Sequence, residues 1–343
     1  MTSVRSSAEG REVHLVRRPV GWPKPEDFAL RSRPVAARPE QVLVRNHFLS
    51  VDPYMRGRMN DLPSYVPPFA LNKVMSGGAV GVVESAPAGG TLTVGDRVLH
   101  NLGWREYAVA PPEAFERISP LPELPLSLYL GALGMPGLTA FVGLLDIAAL
   151  QPGESVYVSA AAGAVGSVAA QLAKVRGAAR VIGSAGSDRK VKHLTQDLGL
   201  DLAFNYHVPD LTQVLRHAVG DPGLDVYFDN VGGEQLQAAI SVLNPHGRAA
   251  LCGAIARYND TVSSPGPSNL SLAVGKRLRL QGFLVIDHEG RRDAFVAEMG
   301  AHLAAGRIKA DETIVRGIEN MAQAFIAMMR GENIGKMVIS VAS

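Results

Sequence analysis

Apolar residues in the first third of the chain fall into short runs: Val13-His-Leu-Val16, Gln41-Val-Leu-Val-Arg45, Ala79-Val-Gly-Val-Val83, Asp96-Arg-Val-Leu99 and Glu106-Tyr-Ala-Val109. Pro, Gly and Asp separate them, the punctuation of a compact, mostly-β domain. From Val156 onward, strand-like runs alternate with helix-length segments. Strands are predicted around Val156 and Val158 and over Arg180–Gly183, Leu202–Tyr206, Leu224–Asp229, Arg248–Cys252 and Arg277–Ile286. Helices are predicted from about Val165 to Arg176 and from near Asp188, the latter with Ser187 as N-cap and Gly199 just past its end. This alternation predicts an α/β fold built on a doubly wound parallel sheet with helices on both faces. A closing helix near Asn320–Arg330 and a strand over Lys336–Val341 come after the six strands such a sheet needs, so they are expected to return to the first domain. The resulting division is 1–134 with 311–343, and 135–310.

The stretch Glu154 to Gln171 carries the most specific local signal. An apolar strand feeds Ala161-x-Gly163-x-x-Gly166 and then a helix, the spacing of a dinucleotide-binding turn with Ala in the first glycine position. Small residues are needed there because backbone amides must approach a pyrophosphate and the following helix must pack tightly on the strand. The polar, Pro/Gly-rich loop 256–269 has the length of a functional segment bordering a cleft.

Composition excludes several classes. With 47% hydrophobic and 19% charged residues and a net charge of +2, the 343-residue chain has no strong electrostatic pull toward nucleic acid or membrane surfaces. One cysteine, Cys252, leaves no intramolecular disulfide and no thiolate cluster for structural zinc. The opening ten residues are polar and lack the apolar block of a secretory signal, so the expectation is a soluble, cytoplasmic protein with a small-molecule substrate. Leu126 to Leu145 is uncharged and approaches membrane-spanning length, but Gly131, Gly134, Pro136 and Gly137 interrupt it. These breakers fit the end of one element and the start of a buried helix near Leu138–Leu150.

The nucleotide can be narrowed at the end of the second predicted strand. NAD sites place Asp or Glu about 20 residues after the glycine turn, on the ribose hydroxyls. Here that place reads Gly183-Ser-Ala-Gly-Ser187, followed by Asp188-Arg-Lys190. Hydroxyls and cations without a competing carboxylate suit a 2′-phosphate, hence NADP(H), with Asp188 outward in the first turn. The same cations would also serve as an ordinary solvated helix face.

Five runs in order, Val51-Asp-Pro-Tyr-Met-Arg56, Gly134-Met-Pro-Gly-Leu-Thr139, Ala161-Ala-Gly-Ala-Val-Gly166, Phe228-Asp-Asn-Val-Gly-Gly233 and Cys252-Gly-Ala-Ile-x-x-Tyr258, span nearly the whole chain. Together they resemble the zinc-independent, NADPH-dependent double-bond reductases, the prostaglandin reductase and 2-alkenal reductase branch of the medium-chain dehydrogenase/reductase superfamily. The resemblance implies a GroES-like N-terminal domain completed by the C-terminal segment, a Rossmann domain, and commonly a homodimer. It assigns Gly163, Ala164, Val165 and Gly166 to the pyrophosphate, Lys190 to the 2′-phosphate, and Tyr206 to the same phosphate end. Asn230, the backbone of Cys252, Gly253, Ala254 and Ile255, the strand end Phe283, Leu284 and Val285, and Asn333 match residues lining adenine, ribose or nicotinamide. One departure is Phe141, where the family usually carries tyrosine.

Zinc dehydrogenases of the same superfamily polarise a carbonyl with a metal held by Cys and His. The place of their Gly-His-Glu motif here reads Ser76-Gly-Gly-Ala-Val-Gly81, and the nine histidines, His47, His100 and His246 among them, show no ligand spacing. Hydride addition to the β-carbon of an α,β-unsaturated aldehyde or ketone remains feasible, with charge appearing on an enolate oxygen. The Tyr258 hydroxyl is the first candidate to stabilise that oxygen and lies at the cofactor edge. Tyr54 resembles a substrate-pocket tyrosine and equally reads as an aromatic plug; Arg56 reads as a pocket-rim or solvated charge. A zinc-free quinone reductase and a non-catalytic NADPH-binding protein are the alternatives.

Overall fold

Burial along the chain sorts the residues into two sets of contacts. The computed structural model describes residues 8–121 and 124–341, so the polar opening up to Ser7 lies outside the described residues. One compact unit comprises Met1–Leu130, Glu312–Asn333 and Met337–Ser343, and the other Gly131–Asp311 and Ile334–Lys336.

The first unit is mostly antiparallel β. Its larger sheet runs Glu312–Arg316, Lys336–Ser340, Val42–Ser50, Ala79–Ser85, Arg97–His100, Glu116–Arg117, with Tyr107–Ala110 also paired to Val42–Ser50. The final strand joins the first unit through Val338 opposite Ser50 and Ile339 opposite Leu49. Inward-facing Val42, Val44, Val83, Val98, Ala108 and Phe115 form one apolar cluster, as alternation on a half-covered sheet requires. A smaller sheet pairs Ala8–Leu15 with Phe28–Val35 and Lys73–Val74. Phe28–Val35 was not foreseen, because its burial falls from Phe28 to a fully solvated middle and leaves no alternating signature. Trp104 is fully buried, donates its indole N–H to Ser50 O at 3.1 Å, and meets the rings of Phe28 and Phe325 at 6.0 Å each. His100 is a core histidine: burial pushes its imidazole down to about 3, and Asn46 Oδ1 at 2.8 Å and the Leu102 N–H at 3.1 Å satisfy the neutral ring.

The second unit is a six-stranded parallel sheet in the order Leu202–Asn205, Arg180–Ala185, Ser155–Val158, Leu224–Asp229, Leu243–Leu251, Arg279–Gly282. Numbered along the chain this is 3-2-1-4-5-6, the doubly wound arrangement with its switch point between the first and fourth strands. All four residues of Ser155–Val158 are buried, as expected of a strand covered on both faces. Three elements differ from expectation, the first being the fifth strand, which begins at Leu243 and not at Arg248. The helix foreseen near Leu138–Leu150 spans Met135–Val142, because Pro136 fits its first turn, and continues as a π-turn over Gly143–Ile147. The strand foreseen over Arg277–Ile286 is only Arg279–Gly282: Arg277 takes a left-handed φ of 53°, and the chain leaves the sheet after Gly282 for a 3-10 helix, Val285–Arg291.

Arg56 is neither a rim charge nor a solvated one. It is 2% exposed and donates to Gly21 O at 2.8 Å and Asn60 Oδ1 at 2.7 Å. The helix Tyr54–Arg58 therefore pins the loop around Gly21 through a buried guanidinium. Arg56→Met retains the apolar stem and leaves those acceptors unpaired. It is expected to lower unfolding free energy by about 2 kcal/mol, read from the urea midpoint, and an unchanged midpoint would contradict the pin.

Candidate functional site

The glycine turn is shaped by contact at van der Waals limits. Ala160 follows the first strand and takes a left-handed φ of 49°. Gly163 then caps the helix Ala164–Val175. A Cβ on Gly166 would stand 2.4 Å from Ala160 O, so only glycine lets the helix approach the strand this closely. Ala161, in the first glycine position, is fully buried, and its methyl lies 2.9 Å from where a Gly183 Cβ would be. The missing glycine of the turn is thus matched by one on the neighbouring strand. Gly163, Ala164 and Val165 are half-exposed at the positive end of a 12-residue helix, whose first N–H groups have no intrahelical acceptor. That is the chemistry of a phosphate cradle. Ala162 O accepts from Gly335 N–H at 2.8 Å, so the returning C-terminal segment braces the turn.

At the end of the second strand, the Ser187 hydroxyl caps the helix Asp188–Gln196 by accepting from Lys190 N–H at 3.4 Å. Lys190 is half-buried, and desolvation followed by neighbouring Arg189 holds its ammonium below the usual range. A group in that state gains from an anionic partner. Asp188 is exposed and accepts from Asn205 Nδ2 at 3.0 Å. The Tyr206 hydroxyl stands 2.8 Å from where a Gly186 Cβ would be, with burial raising its pKa. Gly186, Ser187 and Tyr206 therefore gather at the carboxyl ends of the second and third strands, in the turn that leads to Lys190.

The fourth, fifth and sixth strands end on a second cluster. A cleft of about 500 Å³ is lined by Leu251, Cys252, Gly253, Ala254, Gly282, Phe283, Leu284 and Asp287. Cys252, Gly253, Ala254, Phe283 and Leu284 thus share one wall, whereas Ile255 and Val285 each begin a 3-10 helix beside it. Gly282 and Asp287 went unforeseen because the over-long strand hid the turn they frame. Asn230 donates its N–H to Ser159 Oγ at 2.9 Å and its Nδ2 to Ser159 O at 2.7 Å, tying the fourth strand to the first. The Tyr258 hydroxyl accepts from Ala254 N–H at 3.4 Å and stands 3.4 Å from where a Gly253 Cβ would be, next to two residues that line the cleft. A hydroxyl that accepts can donate at the same time. Burial, with Asp229 adding, pushes the Cys252 thiol up to about 12, far from a nucleophile's range.

Two candidates belong to the first unit. Tyr54 opens the helix Tyr54–Arg58, half-buried, its phenol raised by burial and by Asp52. Asn333 is 8% exposed and immediately precedes Ile334–Lys336, which pack with the second unit. Phe141 is buried against Phe295 at 5.8 Å with the Arg291 guanidinium 5.4 Å from its ring centre, an environment without need of a hydroxyl. Among the described residues no group of three or more His, Cys, Asp or Glu could hold a metal ion, and no helix is long and apolar enough to cross a membrane.

Residues 11–118 match a family described as the N-terminal domain of oxidoreductase, and residues 164–304 one described as zinc-binding dehydrogenase. The NADPH-dependent curcumin reductase of Escherichia coli is 42% identical over 96% of this chain and 96% of its own. Prostaglandin reductase 1 of Bos taurus is 42% identical over 93% of this chain and 95% of its own. Among solved structures, CurA from Vibrio vulnificus in complex with NADPH superposes with a TM-score of 0.90 at 39% identity, covering 97% of this chain and 99% of that one. With a doubly wound sheet, a mostly-β partner unit and relatives of this likeness over their full length, the chain belongs to the double-bond reductase branch of the medium-chain dehydrogenase/reductase superfamily.

Proposed function

We propose that this NADPH-dependent reductase saturates the C=C bond of α,β-unsaturated aldehydes and ketones, of the 2-alkenal, enone or 15-oxoprostaglandin type. The observation that carries the reading is the succession, along one edge of the parallel sheet, of a helix N-terminus at Gly163, a desolvated Lys190 and the cleft beside Tyr258. In this reading the Gly163–Gly166 amides hold the pyrophosphate, Lys190 and Tyr206 hold the 2′-phosphate end, and Asn230, Cys252–Ile255, Phe283–Val285 and Asn333 line the rest of the dinucleotide. When bound, NADPH supplies a hydride for the β-carbon of the conjugated carbonyl. The Tyr258 hydroxyl donates to the oxygen on which enolate charge develops, and that hydroxyl or water returns the α-proton. Tyr54 is assigned to the substrate pocket on the strength of its motif. One cysteine in the whole chain and dependence on a reduced nucleotide fit the cytoplasm.

The edge strand Arg279–Gly282 supports a homodimer. It ends the sheet, and nearby Val274 is 81% exposed, with Leu270 at 49% and Leu272 at 40%. An unpaired edge flanked by exposed apolar side chains invites a second copy.

Three measurements test these assignments. Following NADPH absorbance with benzalacetone, Tyr258→Phe is expected to lower kcat/KM roughly a hundredfold; full activity would remove the donor role. Lys190→Ala is expected to raise KM for NADPH by about ten- to a hundredfold and leave KM for NADH unchanged, as loss of a charge-assisted contact predicts. Leu272→Glu with Val274→Glu is expected to shift the protein from dimer to monomer mass in size-exclusion chromatography with light scattering. A monomeric parent protein would overturn the dimer.

A further inference from the structure

Asp229 ends the fourth strand of the parallel sheet and is 1% exposed. A single oxygen, Oδ1, accepts from the Tyr227 hydroxyl at 2.7 Å, Gly232 N–H at 2.8 Å and Val231 N–H at 3.0 Å, and shares the Ser159 hydroxyl proton, at 3.4 Å, with Phe228 O at 3.3 Å. The main-chain carbonyl of the same residue accepts from Cys252 N–H at 2.8 Å and Gly253 N–H at 3.0 Å. The next two carbonyls continue the pattern, Asn230 O taking Ile255 N–H at 3.4 Å and Val231 O taking Ala256 N–H at 3.2 Å. Two segments therefore meet at the side chain, Ser159, which enters the glycine turn, and the turn 230–232; the loop 252–256, which leads to Tyr258, hangs on the main-chain carbonyls of that same turn. Behind them the Tyr227 ring is stacked on Tyr157 at 5.0 Å, so that donor is fixed as well.

We propose that Asp229 is a positioning residue: its Oδ1 fixes the Asn230 turn against Ser159 at the glycine turn, and the carbonyls of that turn in consequence hold the Tyr258 loop in the arrangement that aligns the nicotinamide half of NADPH. The inference rests on the assignment of those segments to the cofactor. It deepens that reading by naming what fixes their spacing. Burial outweighs the four donors and holds the carboxyl above the usual carboxylate range. The charge therefore costs stability at neutral pH, a penalty relieved as pH falls through the raised pKa, and what the network uses is the acceptor. An amide oxygen in the same place meets that need.

The test compares Asp229→Asn, which keeps the acceptor, with Asp229→Ala, which removes it. Each is measured for Tm, for kcat and KM with NADPH and benzalacetone, and for affinity toward NADPH and toward 2′-phospho-ADP-ribose, which lacks the nicotinamide. The Asn variant is expected to stay within about threefold of the parent throughout, whereas the Ala variant loses roughly tenfold or more in kcat while its affinity for the fragment changes less than about threefold. If Asp229→Ala does not fold, Asp229→Ser, whose hydroxyl stands one bond short, carries the same expectation. Parallel loss of kcat and fragment affinity would make Asp229 merely structural and overturn the proposal. So would an Asn variant as damaged as the Ala variant. The ratio of NADPH to fragment affinity is read without substrate, so failure of the enone reading alone leaves this test standing.

Discussion

A helix can offer its amide end to a phosphate only if the strand before it turns within a few residues and the helix then lies close against the sheet. In this chain that close approach is the Gly166 backbone against Ala160 O, where a Cβ would stand at 2.4 Å. Ala161 occupies a place where related turns use glycine, and the space its methyl takes is returned by Gly183 across the strand pair. The constraint is therefore on the summed volume of two neighbouring backbones, shared between two strands.

In the second unit, buried polar groups toward the carboxyl ends of strands include Tyr157 with Ser184 and Gln235, and Tyr227 with Asp229, while Ser155 with Asp225 lies at the opposite end of the sheet and Gln171 bonds Lys309 from a helix. The two buried tyrosine hydroxyls each have an acceptor at 2.7 Å, as a low-dielectric interior demands. The carboxyl ends also carry the half-buried Lys190 and the Tyr258 loop.

Much of this was legible in the residues, and the limits are physical. The strand Leu224–Asp229 and the helix near Val165–Arg176 stood out because apolar runs bounded by Gly and Asp have few other readings. The Ser187 cap was readable because a hydroxyl followed by a charged first turn is a local arrangement. The strand Phe28–Val35 was not, since its pairing partner supplies an order its own pattern lacks. Nor was the sharp end of the sixth strand at Gly282, where an apolar run continues through Ile286 but the backbone does not. Arg56 was misread because a charge in a turn ordinarily faces water, and only the fold shows the carbonyls that receive it. The convergence on Asp229 depends on four donors spread from Ser159 to Gly232, which sequence spacing alone does not bring together.

The contact between Gly335 and Ala162 has a bearing on how the chain is made. The carbonyl at the heart of the glycine turn waits for a partner that lies far downstream in the sequence. During translation the parallel sheet can assemble strand by strand, yet its phosphate turn lacks this brace until the segment around Gly335 emerges. The second unit is thus finished by a contact of very high sequence separation, the kind that is slow to form and late to reward the entropy of closing its loop. Nascent chains stalled before residue 335 would carry a nearly complete nucleotide fold without its last clasp.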